Sequence, residues 1–309
     1  MKTVLRPDDA APQPTQPIGW LRGMLHRWLL RGLRPERLLH RCQPTDVGVP
    51  AQAVVCPALT AVDGAALFAW FIRPDGPPGR RMPALVAMHG WGSNASELLP
   101  GAEALRRAGL ALLLIDARCH GLSGEAEFTS MPRFAQDLEC GLDWLQRQPD
   151  VDPDRIVLIG HSVGAAAALL LASRRPDVHG VVSLSAFAHP ADVMRRWMRE
   201  RRIPMWPVGH WVLAHVQTVI GARFDDIAPE HTLRSVRAPV MLVHGEDDEV
   251  APVSDLQRLL VAGRGRDVTA LTLPGVGHDL SVVLTEAVLP GLLGFLDSLG
   301  KARPAQRLV

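Results

Sequence analysis

Cysteine is scarce in this chain: Cys42, Cys56, Cys119 and Cys140 are scattered through 309 residues with no C-x-x-C spacing. That scarcity argues against a zinc site or a disulfide framework. It points instead to a reducing compartment with free, mostly buried thiols. Long apolar runs are also missing, since none approaches the roughly 18 residues that a membrane span needs. The N-terminus has no apolar signal-peptide core: Lys2 and Arg6 lead into a proline-rich polar stretch, so a cytoplasmic location is expected. An excess of one charge is absent too. Thirty-three Lys/Arg against 32 Asp/Glu leave a net charge of +1, and no global field exists to attract nucleic acid. What remains is 47% hydrophobic and 21% charged, an ordinary globular composition with ample material for a core. The length would allow two domains, although α/β folds of this size are often single.

Residues 1–17 carry Pro7, Pro12, Pro14 and Pro17 and are expected to form a disordered tail. Residues 18–50 form an N-terminal region of different character. Over 18–41, Trp20, Leu21, Met24, Leu25, Trp28 and Leu29 fall on one side of a helix, with Arg22, His26, Arg27 and Arg31 largely elsewhere. Residues 1–41 hold eight Lys/Arg and three Asp/Glu. Such a helix either lies on an anionic membrane surface, at the inner face of the membrane, or packs its apolar stripe on the protein and keeps its arginines wet.

Residues 51–300 read as one α/β domain, with 301–309 left as a C-terminal tail. Ala53–Thr60 and Ala65–Ile72 predict a hairpin turning at Asp63-Gly64. Apolar strands follow at Ala84–Met88, Leu110–Ile115, Arg155–Ile159, Gly180–Leu184, Val240–Val243 and Val268–Leu273. Helices are expected near 97–108, 132–148, 163–174, 253–262 and 280–299. Continuous apolar strands alternating with helices imply a mostly parallel, eight-stranded sheet covered on both faces. The alternation breaks at about 187–236, a Met-, Trp- and Arg-rich stretch that reads as a small helical cap over the carboxyl ends of the strands.

Gly160-His161-Ser162-Val163-Gly164 lies where a strand runs into an alanine-rich helix. A G-x-S-x-G in that setting is a nucleophile elbow, which lifts a serine hydroxyl clear of the sheet. A serine there could merely cap the helix, but the rest of a serine-hydrolase apparatus follows in order. Ser162 needs a base, and His278, directly after the last strand, is the candidate. Asp248, after the penultimate strand, suits the group that orients the imidazole; Asp247 competes one residue early. The order Ser162, Asp248, His278 is that of this architecture and not of chymotrypsin- or subtilisin-like enzymes. An oxyanion hole requires preorganised donors: Val163 N–H is one, and Trp91 N–H in His89-Gly90-Trp91-Gly92 the other. His161 reads as a packed residue, and His89, His120 and His244 as loop-fixing hydrogen bonders. Their spacing matches no metal-ligand pattern, so neither metal nor cofactor is expected. In the cap, Trp197, Met198, Trp206 and Trp211 are candidates to line an apolar acyl pocket. Arg195, Arg196, Arg199, Arg201 and Arg202 read as a solvated face, with a carboxylate- or headgroup-binding role as the alternative.

These residues resemble the α/β-hydrolase superfamily, in its esterase and lipase-like serine hydrolase branch. The resemblance covers about residues 50–300 and rests on four ordered motifs: His89-Gly90, Gly160–Gly164, Asp248 and His278. A fifth segment, Asp116-Ala117-Arg118-Cys119-His120-Gly121-Leu122-Ser123, is similar to the family's D-x-R-G-H-G-x-S loop, with Cys119 at the usual glycine. The reading is a hydrolase of small-to-medium apolar acyl esters acting through an acyl-enzyme. A thioesterase, peptidase or acyltransferase would use the same triad, and a non-catalytic binding protein of this fold is the reading from another class.

Overall fold

In the computed structural model, residues 18–76, 79–280 and 284–301 are described. The tail expected over 1–17, and all but the first residue of that expected over 301–309, lie outside them. The strands are β1 (Val54–Val55), β2 (Leu59–Thr60), β3 (Ala66–Leu67), β4 (Ala69–Ile72), β5 (Met82–Met88), β6 (Ala111–Ile115), β7 (Val151–His161), β8 (Gly180–Leu184), β9 (Val240–Gly245) and β10 (Val268–Leu273). Eight of them form one sheet in the order β1-β4-β6-β5-β7-β8-β9-β10. β4 runs antiparallel to β1 and β6, and the other neighbours are parallel. The sheet is therefore the eight-stranded, mostly parallel one expected for an α/β-hydrolase. The predicted hairpin differs in detail. β2 and β3 pair as a separate ribbon, while β1 pairs with β4, and Cys56-Pro57-Ala58 interrupts the first arm. Pro57 has no N–H to give a ladder.

Successive strand residues point to opposite faces. In β5, Ala84, Val86 and Met88 join one buried cluster, whereas Leu85 and Ala87 join the other. The first face is covered by α3 (Met131–Gln146), α4 (Val163–Arg174) and α9 (Val253–Ala262). The second is covered by α2 (Ala102–Arg107), the 3₁₀ turns of Ala95–Gly101 before it, and α10 (Leu289–Lys301). Gly141 lets α3 lie close to the sheet, since a Cβ there would sit 2.3 Å from Ile115 Cδ1.

The N-terminal helix α1 spans Ile18–Gly32, shorter than the 18–41 stretch read from the sequence. Gly32 and then Pro35, which disfavours helical backbone at Arg34, end it. α1 packs on the body through buried Leu29, and His26 Nδ1 lies 3.1 Å from His215 Nε2. Met24, Arg27, Trp28 and Arg31 face outward and exposed, at i, i+3, i+4 and i+7. Residues 33–41 then strap the body. Arg37 donates to the Gly121 carbonyl at 2.6 Å, and His40 lies against the Trp70 ring at 4.4 Å.

The cap comprises α5 (Pro190–Glu200), a distorted turn at Met205–Gly209, α6 (His210–Ile220), α7 (Phe224–Ile227) and α8 (Pro229–Thr232). α8 packs on α4 and α9. Among the described residues, no helix is long and apolar enough to cross a membrane, and no group of three or more His, Cys, Asp or Glu could hold a metal ion.

Candidate active site

Strand register builds the site. Met88 of β5 pairs with Gly160 of β7, so the loop beginning at His89 emerges beside the turn holding Ser162. The chain leaves β5 for β6 on one side and returns to β7 on the other, a topological switch point where open α/β sheets hold ligands. Leu273 of β10 pairs with Gly245 of β9, which brings the loops carrying His278 and Asp248 together on the same rim.

Ser162 sits at φ 53°, ψ −117°, a left-handed backbone for a non-glycine residue. Its neighbours enforce that strain. A Cβ on Gly160 would lie 2.2 Å from the Gly164 carbonyl oxygen, and one on Gly164 would lie 2.4 Å from that of Met88. Only glycine fits at either place, because both obstructing atoms are backbone.

Ser162 Oγ lies 2.9 Å from His278 Nε2, and His278 Nδ1 lies 2.8 Å from Asp248 Oδ2. The other carboxylate oxygen, Oδ1, accepts the N–H groups of Val250 at 2.9 Å and Ala251 at 2.7 Å. Burial by itself would raise the Asp248 carboxyl. The bonds from His278 and Ala251 outweigh it and leave the group below its ordinary range, hence ionised. An acceptor held on one side of the imidazole keeps the proton on Nδ1 and leaves Nε2 free to take one from serine. Asp247, the competing acid, is exposed to solvent.

Val163 N–H opens α4 directly after the serine. On the facing loop, a Cβ on Gly90 would stand 3.4 Å from Ser162 Cβ, so this backbone lies directly beside the serine. The loop is held from behind by two histidines. His89 Nδ1 donates to the Gly90 carbonyl at 2.7 Å, and its Nε2 accepts from Ala117 N–H. His120 Nδ1 donates to the Arg118 carbonyl, and its Nε2 accepts from Gly92 N–H at 3.1 Å. Each ring thus needs one bare nitrogen, and burial keeps both neutral, that of His120 down at about 3. His244 donates to the Ala251 carbonyl at 2.6 Å and braces the Asp248 loop.

The 116–123 segment explains its own residues. Asp116 accepts from Ala95 N–H, Leu122 N–H and His40 Nε2, and a Cβ on Gly121 would overlap its carboxylate. Arg118 is buried and forked onto buried Asp137. Cys119, where a glycine is usual, takes φ 67°, so the turn is kept at the cost of left-handed strain.

The cap candidates separate. Met198 is fully buried and packs towards Gly209 and Met205, so it supports the cap from inside. Trp206 is 79% exposed, Trp197 carries the Arg201 guanidinium 4.3 Å above its ring, and Trp211 stacks on His215 at 4.9 Å. The arginine face is less uniform than its sequence suggests. Arg196 is drawn inward to buried Asp255 at 3.1 Å, because α9 lies beneath that side of α5.

Sequence reasoning missed Glu97. It occupies the 3₁₀ turns after β5, accepts Gly90 N–H at 3.1 Å and is ion-paired with His161 Nδ1. No periodicity marks it, and only its place eight residues beyond His89 could have drawn notice.

A family model for the S33 serine aminopeptidases matches residues 80–227. An uncharacterised protein of Mycobacterium tuberculosis is 31% identical over 241 residues, covering 76% of this chain and 78% of that protein. The Escherichia coli esterase YjfP is 25% identical over 238 residues, 70% of this chain and 90% of its own. The fold of the Pyrococcus furiosus esterase Pf2001 superposes with a TM-score of 0.67 at 22% identity, over 85% of this chain and 98% of that one. The chain belongs to the α/β-hydrolase superfamily. Within it, the chain is a serine hydrolase of esterase or peptidase type.

Proposed function

We propose that the chain is a carboxylic ester hydrolase in which Ser162, His278 and Asp248 act as a catalytic triad. Ser162 Oγ attacks the acyl carbonyl as His278 Nε2 takes its proton. The oxyanion that forms is held by the N–H groups of Val163 and Trp91. The tetrahedral intermediate collapses to an acyl-Ser162 ester, and His278 returns the proton to the departing alkoxide. A water deprotonated by His278 then releases the acid and restores the serine. The observation that carries this reading is the unbroken hydrogen-bonded line from Ser162 through His278 to an ionised Asp248 on a strained elbow. The acyl group is proposed to lie beneath the cap, against Trp197 and Trp211, with Met198 supporting the cap from inside and the exposed Trp206 at its outer rim. The test is a p-nitrophenyl ester series from acetate to palmitate with wild type and Ser162→Ala in parallel. Turnover by wild type alone is expected, and equal turnover by both proteins would sink the assignment.

The match to the aminopeptidase model favours peptide bonds as the second reading. Amino-acid p-nitroanilides run beside the esters decide between them: an aminopeptidase hydrolyses the anilide only when its amine is free.

The outward face of α1 is proposed to touch an anionic membrane surface, with Trp28 and Met24 among the acyl chains and Arg27 and Arg31 at the headgroups. Sedimentation with phosphatidylglycerol vesicles should be lost in Trp28→Ser/Arg31→Glu. If that variant binds as wild type does, or wild type does not bind at all, the contact does not exist.

A further inference from the structure

Next to the serine stands a second histidine that the proposed reaction does not use. His161 is buried, and both its ring nitrogens face acceptors. Nε2 donates to the backbone carbonyl of His278 at 2.8 Å, and Nδ1 meets the Glu97 carboxylate. A ring with acceptors on both sides is filled only when it carries both protons. Burial by itself would lower its proton affinity, but Glu97 overcomes that and raises it. Burial would likewise raise the Glu97 carboxyl, yet His161 and Gly90 N–H hold it at about 2. The pair is thus a buried imidazolium–carboxylate placed against the site.

Its contacts join three loops. Glu97 Oε2 holds Gly90 N–H, at the root of the loop offering Trp91 N–H. A Cβ on Gly90 would sit 3.1 Å from His161 Nδ1, so this loop rests directly on the imidazole. His161 itself belongs to the elbow, and its Nε2 bond fixes the backbone of His278, whose side chain must reach Ser162. We propose that Glu97 and His161 are positioning residues that clamp the oxyanion loop and the His278 loop onto the serine turn. The proposal rests on the hydrolase reading of Ser162 and His278. It supplies what that reading leaves open: how groups from three separate loops hold a common register. Errors of about 1 Å in such a register cost on the order of 100-fold in rate.

The charged and titratable groups around His161 are Glu97, His89, His278 and Asp279. The His161 and His278 rings are 5.0 Å apart, and without Glu97 the His161 ring sheds its second proton.

The test measures ester kinetics and the rate of phosphonylation by a serine-directed fluorophosphonate in wild type, Glu97→Ala, Glu97→Gln and His161→Gln. Ser162→Ala serves as the blank. Glu97→Ala and His161→Gln are expected to lose about 10–100-fold in kcat and in phosphonylation, with KM within about threefold. Glu97→Gln should recover much of the rate, because its amide oxygen still accepts Gly90 N–H and its amide nitrogen can donate to a neutral His161. Rates within about twofold of wild type in Glu97→Ala and His161→Gln would overturn the proposal. So would losses in all three variants that track melting temperature, with no recovery in Glu97→Gln. If wild type shows no Ser162-dependent labelling, the hydrolase reading itself fails. The clamp is then read by imidazole NMR, where His161 must be doubly protonated in wild type and singly protonated in Glu97→Gln at pH 7.5.

Discussion

Gly164→Ala is the sharpest single probe of the elbow. The added methyl would stand 2.4 Å from the Met88 carbonyl oxygen and 2.5 Å from that of His89. Ordinary contact needs about 3.4 Å, so the start of α4 must withdraw from β5 by about 1 Å, since neither carbonyl is a side chain that can swing aside. α4 is wedged in the core, with Ala165 through Ala168 wholly buried, and cannot withdraw without strain. Overpacking of this kind costs about 1–3 kcal/mol, and at about 2–4 °C per kcal/mol for a large domain the melting temperature should fall by about 2–12 °C. The functional loss should be larger, because the same movement parts Ser162 and Val163 N–H from the Gly90-Trp91 loop. A displacement of about 1 Å predicts on the order of 100-fold lower kcat. Differential scanning fluorimetry and fluorophosphonate labelling read the two effects on one sample. A variant that melts within about 1 °C of wild type and labels within about threefold would show that the elbow tolerates the methyl and that the argument from backbone crowding is wrong.

Three further outcomes follow from other contacts. Asp248→Asn should lower kcat on the order of 10⁴-fold by favouring the wrong His278 tautomer, whereas Asp247→Asn, at an exposed position, should change it little; the reverse ranking in ester kinetics would reassign the acid. Asp137→Ala removes the buried partner of the Arg118 guanidinium and leaves it paired with the part-exposed Asp63, and should cost about 1–3 kcal/mol in urea unfolding. Glu97, depressed from 4.5 to about 2 in the folded chain, lends stability that is complete above its unfolded value and is lost as pH falls through about 2. Guanidinium midpoints should therefore drop between about pH 4.5 and pH 2 in wild type and fall less steeply in Glu97→Gln.

Much of the fold was legible because its signals are local. The strand Gly180–Leu184 and the helices at 163–174 and 253–262 stand where the apolar runs and their flanking breakers put them. The order of Ser162, Asp248 and His278 was readable for the same reason, since each follows a strand at a recognisable turn. The failures came where another part of the chain intervened. The helix from residue 18 stops at Gly32, ahead of Pro35, and the segment from Leu33 to Arg41 that the pattern also took in instead finds its partners on the body, among them Asp116 and the Gly121 carbonyl. Arg196 looked solvated because nothing in its own helix shows that Asp255 of α9 lies below. Glu97 was invisible because its partners include Gly90, seven residues before it, and His161, at the end of β7.

By itself the sequence determined which candidate residues the sheet presents and in what order: a serine forced onto a strand-to-helix turn by two glycines, an acid and a histidine after later strands. Local backbone sterics and hydrophobic periodicity suffice for that. Only the tertiary structure decided that Asp248 and not Asp247 turns inward, that the His278 ring bridges it to Ser162, and that a buried Glu97–His161 pair lies behind all three loops. These depend on strand register and on distances between residues 30 or more apart in the chain. A hydrogen bond is made or lost over a few tenths of an ångström, and no spacing along a sequence encodes that.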